Sequence, residues 1–121
     1  MTDRTLTAIP RPHPSSATVL AVSGELDHHT APELTEAIRE TSFSPETPVV
    51  IDLSDLSYCD STGITVLVSA YKRAQQHDAR LILVGLNPDL TRVFHIVGLN
   101  QIFTFRTTVD EAIDALSAAE S

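Results

Sequence analysis

The chain has 121 residues, 42% of them hydrophobic and 20% charged, with one cysteine and a net charge of −8 at neutral pH. That length suits one domain with one core, the lack of any Lys/Arg stripe makes nucleic acid and anionic membrane poor partners, and the longest apolar runs are too short to span a bilayer. Met1-Thr2-Asp3-Arg4 lacks the order of a signal peptide and the lone Cys59 permits no internal disulfide, so a reducing, cytoplasmic setting is expected.

Leu6 to Ile9 alternates as a short strand. Pro10, Pro12 and Pro14 then fall in a polar stretch, where they are expected to stop helix and strand pairing alike, so this segment reads as a connection. Ala17 to Val22 is a second strand closed by Ser23-Gly24, and so short a link predicts an antiparallel hairpin. Glu25-Leu26-Asp27-His28-His29 reads as a polar loop. Thr30-Ala31-Pro32-Glu33 has the form of a capping box, with Thr30 as cap, Glu33 reaching back and Pro32 in the first turn. Leu34, Ala37, Ile38 and Thr41 mark the inward stripe of the helix that follows.

Val49 to Leu53 is a nearly unbroken apolar run, the pattern of a strand covered on both faces. A turn is expected after it, then a helix from about Thr62. Asp60, Ser61 and Thr62 can each cap that helix, and Gly63 removes bulk from its first turn. Ile64, Leu67, Val68, Tyr71 and Ala74 repeat at helical spacing over about four turns. Leu81 to Val84 is a further buried strand. Asn87 caps and Pro88 opens the next helix, with Leu90, Val93, Phe94 and Val97 as its stripe and Gly98 as its stop. Ile102 to Phe105 is the last strand, and Thr108 with Glu111 forms a second capping box ahead of inward-facing Val109, Ala112, Ile113 and Leu116.

The order β-β-α-β-α-β-α-β-α predicts an α/β fold with a mostly parallel central sheet, an N-terminal antiparallel hairpin, right-handed crossovers and flanking helices. A single domain over 1-121 is expected, its core about 6-116, with 1-5 and 117-121 frayed. Such sheets present function in loops at the C-terminal ends of their parallel strands, which puts Glu25 to His29 and Asp60 to Gly63 on one rim.

An exposed Ser61 with His and Asp nearby invites a nucleophilic reading. Against it, Cys59 stands two before Ser61 where the nucleophile elbow needs Gly, and no Gly-rich oxyanion loop appears, so a small hydrolase is the weaker alternative. Ser61-Thr62-Gly63 lacks the Lys of a phosphate-cradling loop. His28 and His29 beside Glu25 and Asp27 invite a metal, yet adjacent side chains diverge in extended backbone, and a solvated loop that docks a partner is preferred. Asp52 near a strand end has the look of a phospho-accepting aspartate, but neither Ile9-Pro10 nor Phe105-Arg106 supplies the acidic pair and lysine of a receiver domain. Cys59 reads as a buried structural thiol. The expectation is therefore a non-enzymatic chain without metal or cofactor. On spacing alone, Ser61 reads as a helix cap worth about 1 kcal/mol.

Three stretches change that reading. The loop Gly24-Glu25-Leu26-Asp27-His28-His29-Thr30-Ala31, the run from Asp52 to Gly63 with its Asp60-Ser61-Thr62-Gly63 turn, and Val97-Gly98-Leu99 together resemble the anti-sigma factor antagonists of the STAS domain class, over about Leu6 to Leu116. The resemblance implies a regulator that in its unphosphorylated form binds an anti-sigma factor with ATP-dependent serine kinase activity and so frees the sigma factor. It implies Ser61 as the phosphorylation site that inactivates the regulator, a serine phosphatase that restores it, and Glu25, Asp27, His28, His29, Asp60, Ser61, Thr62, Gly63 and Ile64 as partner-binding residues. Two departures stand out. Thr62 replaces a frequent second serine and is kept as a minor acceptor, and Cys59 replaces a bulkier apolar residue. A scaffold subunit of a stress-sensing assembly, or another phospho-regulated module such as the regulatory tail of a transporter, would keep the fold with a different task; the small size of the chain favours a free regulator.

Overall fold

The computed structural model describes residues 5–120, with side chains described over 5–116, and within it five strands and four helices alternate in the expected order. Of the ends expected to fray, 1–4 and 121 lie outside the described residues. Thr5 lies within them, and its carbonyl accepts from Glu25 N–H at 2.9 Å. Strands β1 (Leu6–Pro12) and β2 (Thr18–Leu26) pair antiparallel, and β3 (Val49–Cys59), β4 (Leu81–Val84) and β5 (Thr104–Arg106) join in parallel, giving the sheet order β1-β2-β3-β4-β5.

The helices α1 (Ala31–Glu40), α2 (Ser61–Gln76), α3 (Pro88–Ile96) and α4 (Val109–Glu120) divide unequally between the sheet faces. Neighbouring strand residues point to opposite sides. Leu20, Ile51 and Leu83 therefore meet Leu34 of α1, Leu67 of α2 and Phe94 of α3 on one side. Val19, Val50 and Ile82 meet Ala112 and Leu116 of α4 on the other. This double cover is why the central strands read as unbroken apolar runs. Among the described residues no helix is long and apolar enough to cross a membrane.

Several boundaries differ from the sequence expectation. Pro10 and Pro12 do not end β1, which stays paired through Pro12 opposite Thr18. The bond from Glu25 to Thr5 places the odd-numbered residues of β1 in the hydrogen-bonded pairs. Pro10 and Pro12 thus fall at non-bonded pairs of an edge strand, where a missing N–H leaves the ladder whole. The strand β2 does not close at Ser23-Gly24 but runs to Leu26, and β3 runs to Cys59 with no turn after Leu53, because the two continue as a parallel pair through two register slips. At the start of α3 Asn87 accepts from Leu90 N–H at 2.8 Å, as its sequence indicates. Of that helix's predicted stripe, Leu90 and Phe94 are buried while Val93 and Val97 are 40% and 55% exposed; Val97 lies past the last helical residue, Ile96. The last strand begins at Thr104 rather than Ile102, since a 3-10 turn at Leu99–Gln101 first delivers Leu99 and Phe103 to the core.

Candidate functional site

Strands β2 and β3 end side by side, Leu26 against Cys59, and the residues just beyond them form the site. Getting there requires two glycines. Gly24 has φ +110°, and a Cβ on it would stand 2.2 Å from the Thr5 carbonyl oxygen. Gly63, in the first turn of α2, is pressed on the strand ends: a Cβ there would come within 2.6 Å of Leu26 Cγ and 2.9 Å of Cys59 Sγ. The helix can start this close to the sheet only because its third residue has no side chain.

Asp60 joins the two loops of the rim. Its N–H donates to Leu26 C=O at 3.0 Å. Its carboxylate accepts through Oδ1 from Gly63 N–H at 3.0 Å, as the cap of α2, and through Oδ2 from His28 N–H at 3.2 Å. The expected meeting of Glu25–His29 with Asp60–Gly63 is therefore present. Three residues had the chemistry to cap α2, and Asp60 does it. Ser61 becomes the first residue of the helix, exposed, with its hydroxyl in no hydrogen bond among the described residues. Thr62 is exposed beside it, Gly63 is buried, and Ile64 is half-buried against the main core. With Gly63 N–H capped, the N–H groups of Ser61 and Thr62 remain at the positive end of a sixteen-residue helix, an arrangement that favours negative charge.

The first loop is built differently from its expectation. Thr30 does not cap α1 through its hydroxyl, and the predicted box with Glu33 is replaced by a turn around Asp27. Asp27 is 6% exposed. Its Oδ1 accepts from His29 N–H at 2.9 Å and Thr30 N–H at 3.0 Å, and its carbonyl accepts from Ala31 N–H at 2.7 Å. The Thr30 hydroxyl donates inward to Glu25 C=O at 2.7 Å and accepts from Asp27 N–H at 3.0 Å. A carboxylate three residues before Thr30 offers a two-lone-pair acceptor to two N–H groups, which a hydroxyl turned inward cannot do.

That inward anchoring leaves His28 and His29 exposed, their rings edge to face at 5.6 Å. No group of three or more metal-ligating side chains converges among the described residues. Burial, then the neighbouring Asp60 charge, push the Cys59 thiol up to about 12, so it is no thiolate nucleophile at neutral pH. Asp52 is held within β3, its Oδ1 accepting from Ser54 N–H at 3.0 Å and Ser54 Oγ at 2.7 Å. Sequence reading missed Tyr58. It pairs with Glu25 across β2 and β3 and is 41% exposed; an aromatic side chain next to Ser57 and three residues before Ser61 was the available signal. Ser57 beside it donates to Gly24 C=O at 3.0 Å and ties the two strand ends.

Comparison with known proteins matches residues 8–112 to the STAS domain. The anti-sigma-B factor antagonist of Listeria monocytogenes is 39% identical over 90 residues, covering 74% of this chain and 79% of that protein. The protein of the same name from Staphylococcus aureus is 35% identical over 81 residues, 67% of this chain and 75% of the relative. An anti-sigma factor antagonist from Mycobacterium paratuberculosis superposes with a TM-score of 0.81 at 31% identity, over 97% of this chain and 96% of that one.

Proposed function

Because this chain belongs to the STAS domain family, we propose that it is an anti-sigma factor antagonist. In its unphosphorylated form it binds an anti-sigma factor that is also an ATP-dependent serine kinase, releases the sigma factor, and is switched off when that kinase phosphorylates Ser61. A serine phosphatase resets it. The chain itself performs no catalysis. The observation that carries this reading is the free, exposed Ser61 hydroxyl at the mouth of α2, with the structural task of capping given to Asp60. Thr62, equally exposed, is the minor acceptor.

In this reading the rim residues divide their work. His28, His29, Ser61 and Thr62 face the partner, with Glu25 and Tyr58 at the edge. Asp27, Asp60 and Gly63 hold that face in shape from beneath, and Ile64 seats the first turn of α2. A phosphate on Ser61 adds about −1.5 to −2 charges. The helix end tolerates it, since free N–H groups and the dipole favour an anion there. The interface does not. Set beside Asp60 on a chain already at −8, the group must be desolvated when the partner docks, and an unmatched buried charge costs several kcal/mol. About 3 kcal/mol is a hundredfold in affinity, enough to part the complex.

The test is incubation with ATP and the anti-sigma serine kinases of the same genome, followed by intact-mass measurement and site mapping. One phosphate on Ser61 is expected, with Ser61→Ala keeping partner binding and gaining none. Stoichiometric labelling of Ser61→Ala would overturn the site, and turnover of a small substrate by the isolated chain would overturn the class.

A further inference from the structure

Away from the rim, an open groove of about 400 Å³ lies between α1 and α2, with Ile38 and Val66 as its apolar lining and Arg39, Lys72 and Arg73 as its charges. Three of the chain's eight basic residues meet here and none of the lining residues is acidic, in a protein with sixteen acidic side chains. Arg39 is already held by Glu36 on the surface of α1 at 2.5 Å, so Lys72 and Arg73 supply the uncompensated charge. Arg73 is fixed in place, its guanidinium 5.7 Å from the centre of the Phe43 ring and one arm donating to Arg39 C=O at 3.3 Å. Its Nε is buried and has no hydrogen-bond partner among the described residues.

No rim residue lines the groove, but α2 leads from one to the other. Thr62, Val66, Ser69, Arg73 and Gln76 succeed one another at helical spacing on one face of α2, so the lining starts about one turn beyond Ser61. At about 1.5 Å per residue, Lys72 lies about 16 Å along the helix from Ser61. A protein that engages Ser61 and extends along α2 thus meets a positive, partly apolar channel on a chain of net charge −8.

Resting on the antagonist reading above, we propose that this groove receives an acidic segment of the protein that acts on Ser61. Its carboxylates lie against Lys72 and Arg73, and an apolar side chain covers Ile38 and Val66. Opposite charge at this distance from Ser61 steers the encounter and sets its register. A polyanion such as nucleic acid is disfavoured because its length would run onto the acidic remainder of the chain.

The test has two arms, so that this inference and the reading it rests on fail separately. In the first, the labelled full chain is titrated with a synthetic helical peptide bearing Glu along one face and Leu beside it. Amide shifts centred on Thr35, Ser69 and Lys72 are expected, weakened about tenfold in Lys72→Glu and suppressed by salt. A peptide that leaves those amides unmoved, or binds Lys72→Glu as well as wild type, overturns the groove; so does a DNA duplex that binds there more tightly than the peptide. The second arm measures docking of the kinase that labels Ser61, comparing Lys72→Glu with Arg92→Glu, the same charge change placed on α3. A loss of about tenfold in association rate for Lys72→Glu, against about twofold or less for Arg92→Glu, is expected. Equal losses overturn the groove and leave the antagonist standing. Should no serine kinase label Ser61, the antagonist reading falls and the peptide arm decides the groove.

Discussion

At the scale of single residues the site depends on what Asp60, Gly63 and Cys59 leave for Ser61. Gly63→Ala would set a methyl carbon 2.6 Å from Leu26 Cγ, and Leu26 is fully buried with nowhere to go. Alanine regains about 1 kcal/mol of helix propensity, while overpacking costs about 1–3 kcal/mol. A net loss of up to about 2 kcal/mol in urea unfolding is expected, together with weaker partner binding as α2 is pushed off the strand ends. Cys59 gives a pH signature. Its folded thiol is raised to about 12 from an ordinary value near 9.0, so between the two the unfolded chain alone gives up the proton. The stability this group contributes is whole below about 9 and falls as the pH rises toward 12. Denaturation curves across that window should show the decline in wild type and a smaller one in Cys59→Ala, and a thiol reagent at pH 8 should label the native chain far more slowly than the unfolded one. Fast native labelling would count against the burial.

At the scale of elements, the edge strand shows how parity decides where proline is tolerated. Pro10 and Pro12 sit at non-bonded pairs, whereas Arg11, opposite Val19, sits at a bonded one. Arg11→Pro should therefore remove a ladder bond and cost about 1–3 kcal/mol, although it adds a proline to a segment that already has three. Pro10→Ala should change stability by about 1 kcal/mol or less, through the unfolded chain. Thermal melts of the two variants separate this from the sequence expectation, in which the segment is an unpaired connection and both changes are mild. The extension of β2 to Leu26 and β3 to Cys59 matters more for function. It carries the two loops to the same height on the sheet, so that one carboxylate, Asp60, serves both.

For the whole molecule, charge and scaffold are separable. The Ser61 hydroxyl makes no hydrogen bond among the described residues, so Ser61→Asp should shift unfolding by less than about 1 kcal/mol, its helix-end attraction set against repulsion from Asp60. Partner affinity should meanwhile fall about a hundredfold. Calorimetry paired with a binding titration measures both. A stability loss above about 2 kcal/mol would mean that the fold, rather than the interface, carries the effect, and the switch would have to be located elsewhere.

The order of elements, the parallel sheet, the inward stripe of α4 and the serine turn were legible in the chain, because periodicity and cap chemistry are local and each residue carries its own share. Which of Asp60, Ser61 and Thr62 caps α2 was not legible, since all three have the oxygen and only the backbone at the end of β3 selects one. Nor was the replacement of the Thr30 box by Asp27, or the survival of β1 through two prolines. Both turn on which direction a side chain or an N–H faces once a neighbouring strand is in place. The groove further along α2 arises the same way: Ile38 stands 28 residues before Val66 in the sequence, and only the packing of α1 on α2 makes them one surface.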